Sequence, residues 1–337
     1  MKQVRLALVG CGRMGRSLIS ASRNIPEARL VAAVDQVEAA AREVAAEYGA
    51  TPYTDMDAAL AREDVDAVII ATPNAQHPVA AIAAARAGKH VFTEKPMALN
   101  TADAAAMITA ARENGVKLMV GQVLRYLVPY VWIIEQVRAG AWGEPFAGQI
   151  TRVSGSWTGG SYDVAWRHTM AESGGPLFEV HIHEIDFMRQ IFGEAEAVWA
   201  VTGRFMLDDV DYYDTAQLLV RFAGGKPVQF FTGNCAIEGK YDFKILCTAA
   251  NIYVDRSTGW VHVRTADGKT IEPDSKELGQ RYEPGVQREL REFIEAVAYD
   301  RPVPIPGEDG LKAVEIAEAG VMSGQTGKVI TLPLAQV

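Results

Sequence analysis

Gly10-Cys11-Gly12-Arg13-Met14-Gly15 spells G-x-G-x-x-G between a short apolar run, Val4–Val9, and a helix-compatible stretch from Arg13 to Arg23. That context turns a common glycine pattern into a phosphate-binding one. Gly10 permits a tight turn, Gly12 lets a diphosphate approach the backbone, and Gly15 allows the helix to pack closely on the strand. The amides at the helix start carry partial positive charge toward the anion, and Arg13 could add a full charge. Asp35 ends the next apolar run, 20 residues after Gly15. A carboxylate there binds a ribose 2′-hydroxyl and repels a 2′-phosphate. The expected ligand is NAD, with NADP disfavoured.

Three further groups could do chemistry. Ala71-Thr72-Pro73-Asn74 closes the apolar run Ala67–Ala71. In a parallel sheet that is the edge where ligands bind, although Thr72 or Asn74 serves equally well as a helix cap. His77, just beyond, reads as a surface or capping residue. Glu94-Lys95-Pro96 follows the run His90–Thr93. A lysine at that edge faces a ligand, and an exposed lysine entering a loop fits as well. Leu177 to Phe192 reads as one helix, on which Glu179, His183 and Asp186 fall at i, i+4 and i+7 and share a face. An acid beside a histidine suits general-base work. A buried histidine satisfied by its neighbour is the alternative. His181 lies two residues from His183 and points elsewhere, so the two do not chelate one ion from a regular helix, and no metal site is expected.

The elements that must position these groups follow from patterning. Leu30–Val34 and Lys117–Val120 join the runs already named, with helical stretches between them. Continuous apolar runs separated by helical crossovers imply a parallel sheet buried on both faces. Residues 1–122 are therefore expected to form an α/β, doubly wound Rossmann domain. Residues 123–337 change texture. β-rich runs at Gly148–Ser156, Val198–Thr202, Ala216–Phe222, Val228–Asn234, Asp242–Thr248, Asn251–Val254 and Val261–Thr265 are punctuated by Gly224-Gly225 and Asp267-Gly268. Those are hairpin signals, and with separate helices they indicate an α+β domain with an open, largely antiparallel sheet.

Composition excludes several classes. The chain has 337 residues, 49% of them hydrophobic and 22% charged, which is ordinary globular composition. A net charge of −9 repels phosphate backbones, so no nucleic-acid partner is expected. No apolar run approaches the roughly 20 residues that span a bilayer, and the N-terminus does not read as a signal peptide. Three cysteines without ligand spacing fit a reducing, cytoplasmic compartment.

Taken in order, these pieces resemble the Gfo/Idh/MocA family of nicotinamide-dependent oxidoreductases, which act mostly on sugars, cyclic polyols and their derivatives. The likeness runs from the glycine motif through Ala71-Thr72-Pro73-Asn74 with His77, and Glu94-Lys95-Pro96. It continues through Val120-Gly121 with Arg125 and Pro129, Gly143-Glu144-Pro145, Trp166-Arg167, Gly174-Gly175 and His183-Glu184-Ile185-Asp186. It closes on Gly307-Glu308-Asp309-Gly310, Ser323 and Gly327. The resemblance implies a homodimer or homotetramer assembled through the second sheet. It implies Lys95 and His183 in catalysis, with Glu179 where the family usually has aspartate. Met14, Ala71, Thr72, Pro73, Asn74, His77, Glu94, Lys95, Gln122, Trp166 and Arg167 join the cofactor set. Arg125, Trp157, Tyr162, Asp163 and Tyr241 join the substrate set, Tyr241 serving equally as a packed strand aromatic. A cis Lys95–Pro96 bond is implied too.

Within the family, His183-Glu184-Ile185-Asp186 and Asn234-Cys235 with Tyr241-Asp242 point toward a cyclic polyol such as an inositol. The implied chemistry has His183, oriented by Glu179, taking a hydroxyl proton while Lys95 stabilises the oxygen and hydride passes to NAD. Two alternatives share the cofactor: a glycosidase or dehydratase that oxidises only transiently, and a non-catalytic NAD(H) sensor.

Overall fold

The computed structural model describes residues 2–155 and 164–335. The chain forms two compact units, Met1–Val123 with Pro284–Leu311, and Leu124–Glu283 with Lys312–Val337.

The first unit is built on β1 (Val4–Val9), β2 (Ala28–Val34), β3 (Thr51–Tyr53), β4 (Ala67–Ile70), β5 (His90–Glu94) and β6 (Leu118–Gly121). All pair in parallel, in the order β3-β2-β1-β4-β5-β6. The order reverses direction beside β1, and at such a switch point a doubly wound sheet opens a ligand crevice. The continuous runs have their expected cause. Leu6, Leu8, Val68, Ile69, Val91 and Phe92 are all buried, each large side chain contributing about 1.5–3 kcal/mol. The late helix Gly285–Ala298 belongs to this unit, and its Phe293 meets Phe92 with ring centroids 5.6 Å apart. Patterning did not reveal the three-residue strand β3, which is too short to show a period.

The second unit carries β7 (Pro145–Val153), β8 (Ala195–Gly203), β9 (Thr215–Phe222), β10 (Lys226–Gly233), β11 (Lys240–Cys247), β12 (Ala250–Asp255), β13 (Trp260–Thr265), β14 (Thr270–Ile271) and β15 (Ile330–Thr331). They form one sheet in the order β14-β13-β12-β11-β7-β10-β9-β8-β15. Every pairing is antiparallel except β7 with β10. Strand β9 alternates buried and exposed residues along its length, the pattern of a sheet with one covered face. Under that face Tyr130, Phe187 and Phe243 pack ring on ring at 4.9–5.5 Å. Tyr130 opens the helix Tyr130–Arg138.

One element departs from expectation in a way that matters for function. Leu177 to Phe192 is two helices, Gly175–Glu179 and Ile182–Phe192. Val180 leaves helical geometry at φ −115°, ψ −57°, and His181 caps the second helix. Glu184 sits at the third position of that helix, and its carboxylate reaches back to the His181 ring, with Oε2 3.1 Å from Nδ1. That contact links the residue before the second helix to its first turn, side chain to side chain.

Candidate active site

In the first unit the glycine turn is shaped by contact. Gly10 has φ +95°, and a side chain there would strike the Ala71 carbonyl. A Cβ on Gly15 would lie 1.9 Å from the Gly10 oxygen. A Cβ on Gly12, by contrast, would have nothing within 4 Å of it. Two glycines are thus forced by packing, and the third faces open space at the start of the helix Arg13–Ser22, whose first turn holds no acidic residue. Such a helix start is suited to a diphosphate.

Asp35 extends from the carboxyl end of β2. It accepts the Cys11 amide at 2.8 Å on one oxygen and the Val37 amide at 2.8 Å on the other. These bonds fix the carboxylate beside the turn and leave lone pairs for a diol. Cys11 is buried, and that burial, with Asp35 nearby, pushes its thiol up to about 12. It is a packing residue, not a nucleophile.

The carboxyl edge of this sheet also holds two buried polar atoms with no hydrogen-bond partner among the described residues, Thr72 Oγ1 and Gln122 Oε1. Such atoms are costly unless a ligand or water satisfies them. With the open Gly12 they fit the turn, strand ends and Asp35 to a dinucleotide. Lys95 is half-buried after β5, its amide donates to Glu94 Oε2 at 3.1 Å, and the Lys95–Pro96 bond is cis. His77 corrects the surface reading: it is 1% exposed. Its Nδ1 lies 2.7 Å from the Pro96 carbonyl and its Nε2 2.9 Å from the Thr72 carbonyl. Met14 and Arg13 are exposed and Asn74 is buried.

In the second unit Glu179 and His183 lie on either side of the helix break: Glu179 ends one helix and His183 is in the first turn of the next. Glu179 is held from another element: Arg167 donates to its Oε1 from Nε at 3.0 Å and from a terminal nitrogen at 2.8 Å. Arg167 also lies over the Trp166 ring, 4.6 Å from its centroid. His183 is half-buried. Asp186 is fully buried and takes a two-bond fork from Arg125 at 2.7 and 2.6 Å. Arg189 adds charge at 3.6 Å. Arg125, expected to meet substrate, thus also anchors the helix that carries His183.

A second carboxylate was missed in the sequence. Glu184 is fully buried, bonded to Arg152 at 2.8 Å and Tyr241 at 2.5 Å as well as to His181. Burial opposes its charge, but Arg152, the His181 bond and the nearby His183 override that and hold its carboxyl far below the usual range. The signal was the i, i+3 spacing of His181 and Glu184. Arg152 and Tyr241 are opposite one another on paired strands, and Arg152 caps the Tyr241 ring at 4.9 Å. Tyr130 donates to the Tyr241 hydroxyl in turn. Tyr241 is therefore both a strand aromatic and part of a polar chain ending at Glu184. Trp157, Tyr162 and Asp163 lie outside the described residues.

A parallel 3-2-1-4-5-6 sheet, a diphosphate-shaped glycine turn with a ribose carboxylate, and a mixed-sheet second unit define a dinucleotide-dependent oxidoreductase. The family models place it further. Residues 4–122 match "Oxidoreductase family, NAD-binding Rossmann fold", and residues 134–332 match "Oxidoreductase family, C-terminal alpha/beta domain". The chain belongs to the Gfo/Idh/MocA oxidoreductase family, and its first unit is an NAD-binding domain. It is 30% identical over 327 residues to inositol 2-dehydrogenase of Rhizobium meliloti (strain 1021), spanning 95% of this chain and 96% of that one. It is 28% identical to myo-inositol 2-dehydrogenase of Thermotoga maritima, over 98% of each. Among solved structures it resembles levoglucosan dehydrogenase in complex with NADH and L-sorbose, with TM-score 0.86 and 25% identity over 99% of this chain and 100% of that one. Among the described residues no helix is long and apolar enough to cross a membrane.

Proposed function

We propose that the protein is an NAD-dependent dehydrogenase of a secondary alcohol on a cyclic polyol or sugar, an inositol being the first candidate. The observation that carries this reading is the full-length likeness to two inositol dehydrogenases. The Gly12 opening and Asp35 support NAD over NADP, because a 2′-phosphate would meet the fixed carboxylate.

Bound NAD would supply the two-electron acceptor, held by Gly10, Gly12, Arg13, Met14 and Gly15 at its diphosphate and by Asp35 at its ribose. Ala71, Thr72, Pro73, Asn74, Glu94, Gln122, Trp166 and Arg167 are the proposed remaining cofactor residues. His183 takes the hydroxyl proton at a ring nitrogen, and Lys95 donates a hydrogen bond to the same oxygen as negative charge builds there. The anionic Glu184 favours the imidazolium that His183 becomes. Glu179, fixed by Arg167, presents an acceptor that orients the histidine or a substrate hydroxyl. Arg125 and Tyr241 complete the polyol-binding set.

Trp199, Val201, Leu219, Phe205 and Met206 form an exposed apolar surface of the second unit, Phe205 being 75% exposed. We assign this face to a second copy of the chain, since apolar patches of this kind mark association surfaces.

The deciding experiment follows absorbance at 340 nm with NAD or NADP across inositols, hexoses and sugar acids. Turnover with one polyol and NAD, falling on the order of 10²–10⁴-fold in His183→Ala, supports the reading. A protein that retains NAD through purification, yet forms no NADH with any alcohol, belongs instead to the transiently oxidising class.

A further inference from the structure

We propose that His77 is a buried imidazolium clasp that ties the Thr72-Pro73 turn to the Lys95-Pro96 turn and so sets where Lys95 stands. It is a positioning residue rather than a catalytic one, and its consequence for turnover rests on the role proposed for Lys95.

Both ring nitrogens of His77 sit at hydrogen-bond distance from main-chain carbonyl oxygens, 2.7 Å to Pro96 and 2.9 Å to Thr72. A carbonyl oxygen only accepts. A neutral imidazole has one N–H, so its other nitrogen would turn a lone pair against a carbonyl lone pair. Only the cation donates to both. The ring is 1% exposed, so water does not relieve the mismatch.

Other terms bear on the charge. His77 opens the helix His77–Arg86, and a helix N-terminus opposes a cation. The helix has no acidic residue in its first turn. On the strand that leads to Pro96, Glu94 is the one carboxylate, and it is buried. Lys95 is the neighbouring cation. Against the helix-end term stand two charge-assisted bonds in a nearly water-free place, where each is stronger than in solvent.

The mechanical result follows from the two acceptors. Thr72 ends the segment after β4, and Pro96 directly follows Lys95 after β5. These strands are neighbours in register. Beyond their last paired residues the ladder no longer holds the chains together, and His77 replaces it with a side-chain bridge. The Pro96 carbonyl lies one peptide beyond Lys95, so a shift there carries through the Pro96 ring to the turn that holds Lys95.

The test uses the full-length protein with ¹⁵N-labelled histidine. Long-range ¹H–¹⁵N correlation at pH 8, where an ordinary histidine of pKa about 6.5 is neutral, should show one residue with both ring nitrogens protonated. That signal should vanish in His77→Gln. In the same variant kcat should fall about ten- to a hundredfold, because small misplacement of a catalytic group costs up to about 10²-fold. NADH affinity, read by fluorescence, should change by less than about threefold, since His77 bridges chain to chain rather than binding the diphosphate. A single neutral tautomer at pH 8 overturns the clasp, and so does a His77→Gln protein with parental kcat. If the variant does not fold, His77→Asn supplies the assignment in its place. Lys95→Met separates the two ideas. Parental turnover in that variant sinks the role of Lys95 while leaving the protonation state of His77 untouched.

Discussion

Gly12→Ala separates what the glycine turn does for folding from what it does for the cofactor. At φ −71°, ψ −169° Gly12 occupies extended backbone that alanine adopts freely, and its Cβ would meet nothing within 4 Å. Losing glycine's unfolded-state freedom stabilises by about 0.4–1 kcal/mol. Gly12 also precedes the first helical residue, a position where alanine is poorer than glycine by a comparable amount. The two nearly cancel, so the melting temperature should stay within about 2 °C of the parent. The added methyl instead fills the space a diphosphate needs, and NADH affinity should fall at least about tenfold, or 1.4 kcal/mol. Gly15→Ala is the opposite case. Its methyl would lie 1.9 Å from a backbone oxygen that cannot swing away, so the fold itself must shift at a cost of about 1–3 kcal/mol or more. Scanning fluorimetry without cofactor and calorimetric titration with NADH read the two quantities separately. Unchanged NADH affinity in a stable Gly12→Ala protein would refute the assignment of that space to the diphosphate.

Asp35→Ser with Gln36→Arg should raise the kcat/KM ratio of NADP over NAD, because the fixed carboxylate is gone and a cation faces the extra phosphate; an unchanged ratio removes the argument from Asp35. Arg125→Met should destabilise the second unit by about 3–5 kcal/mol, since it strips the two-bond partner from buried Asp186, and chemical denaturation should show most of that loss recovered in Arg125→Met/Asp186→Leu. Glu184 has a folded-state carboxyl well below its unfolded value near 4.3, so it adds stability above that pH and loses it as pH falls toward the folded value. Melting curves should therefore show Glu184→Gln weaker than the parent at pH 7, with the gap closing in acid; a gap independent of pH would mean the carboxylate charge is not what the site uses.

Much of the first unit was legible because its signals are local and redundant. A strand buried on both faces must be apolar throughout, so Val4–Val9 and Ala67–Ile70 announce themselves. The glycine turn is legible for the same reason: Gly10 and Gly15 are forced by contacts with chain close in sequence or one strand away. The open sheet of the second unit was readable from alternation and hairpin glycines, and Gly224-Gly225 does join β9 to β10. The return of Gly285–Ala298 to the first unit was not readable, because an amphipathic helix records that it has a partner and not which one.

The second half of the site shows where periodicity misleads. Counting 3.6 residues per turn from Glu179 to His183 assumes that the turn continues, and it does not. The apolar pattern of Leu177, Phe178, Ile182 and Ile185 is compatible with one helix or two, because each half buries the same kind of face. Arg167 claims Glu179 from a preceding turn, while Glu184 claims His181, Arg152 and Tyr241 from within the unit. The His181–Glu184 bond, at i and i+3, is compatible with either arrangement, so the apolar and polar spacings alone leave the break open. The bonding partners assign the two glutamates different work. In the proposed function Glu179 is the carboxylate that faces a ligand, while Glu184 is the buried anion bonded to His181.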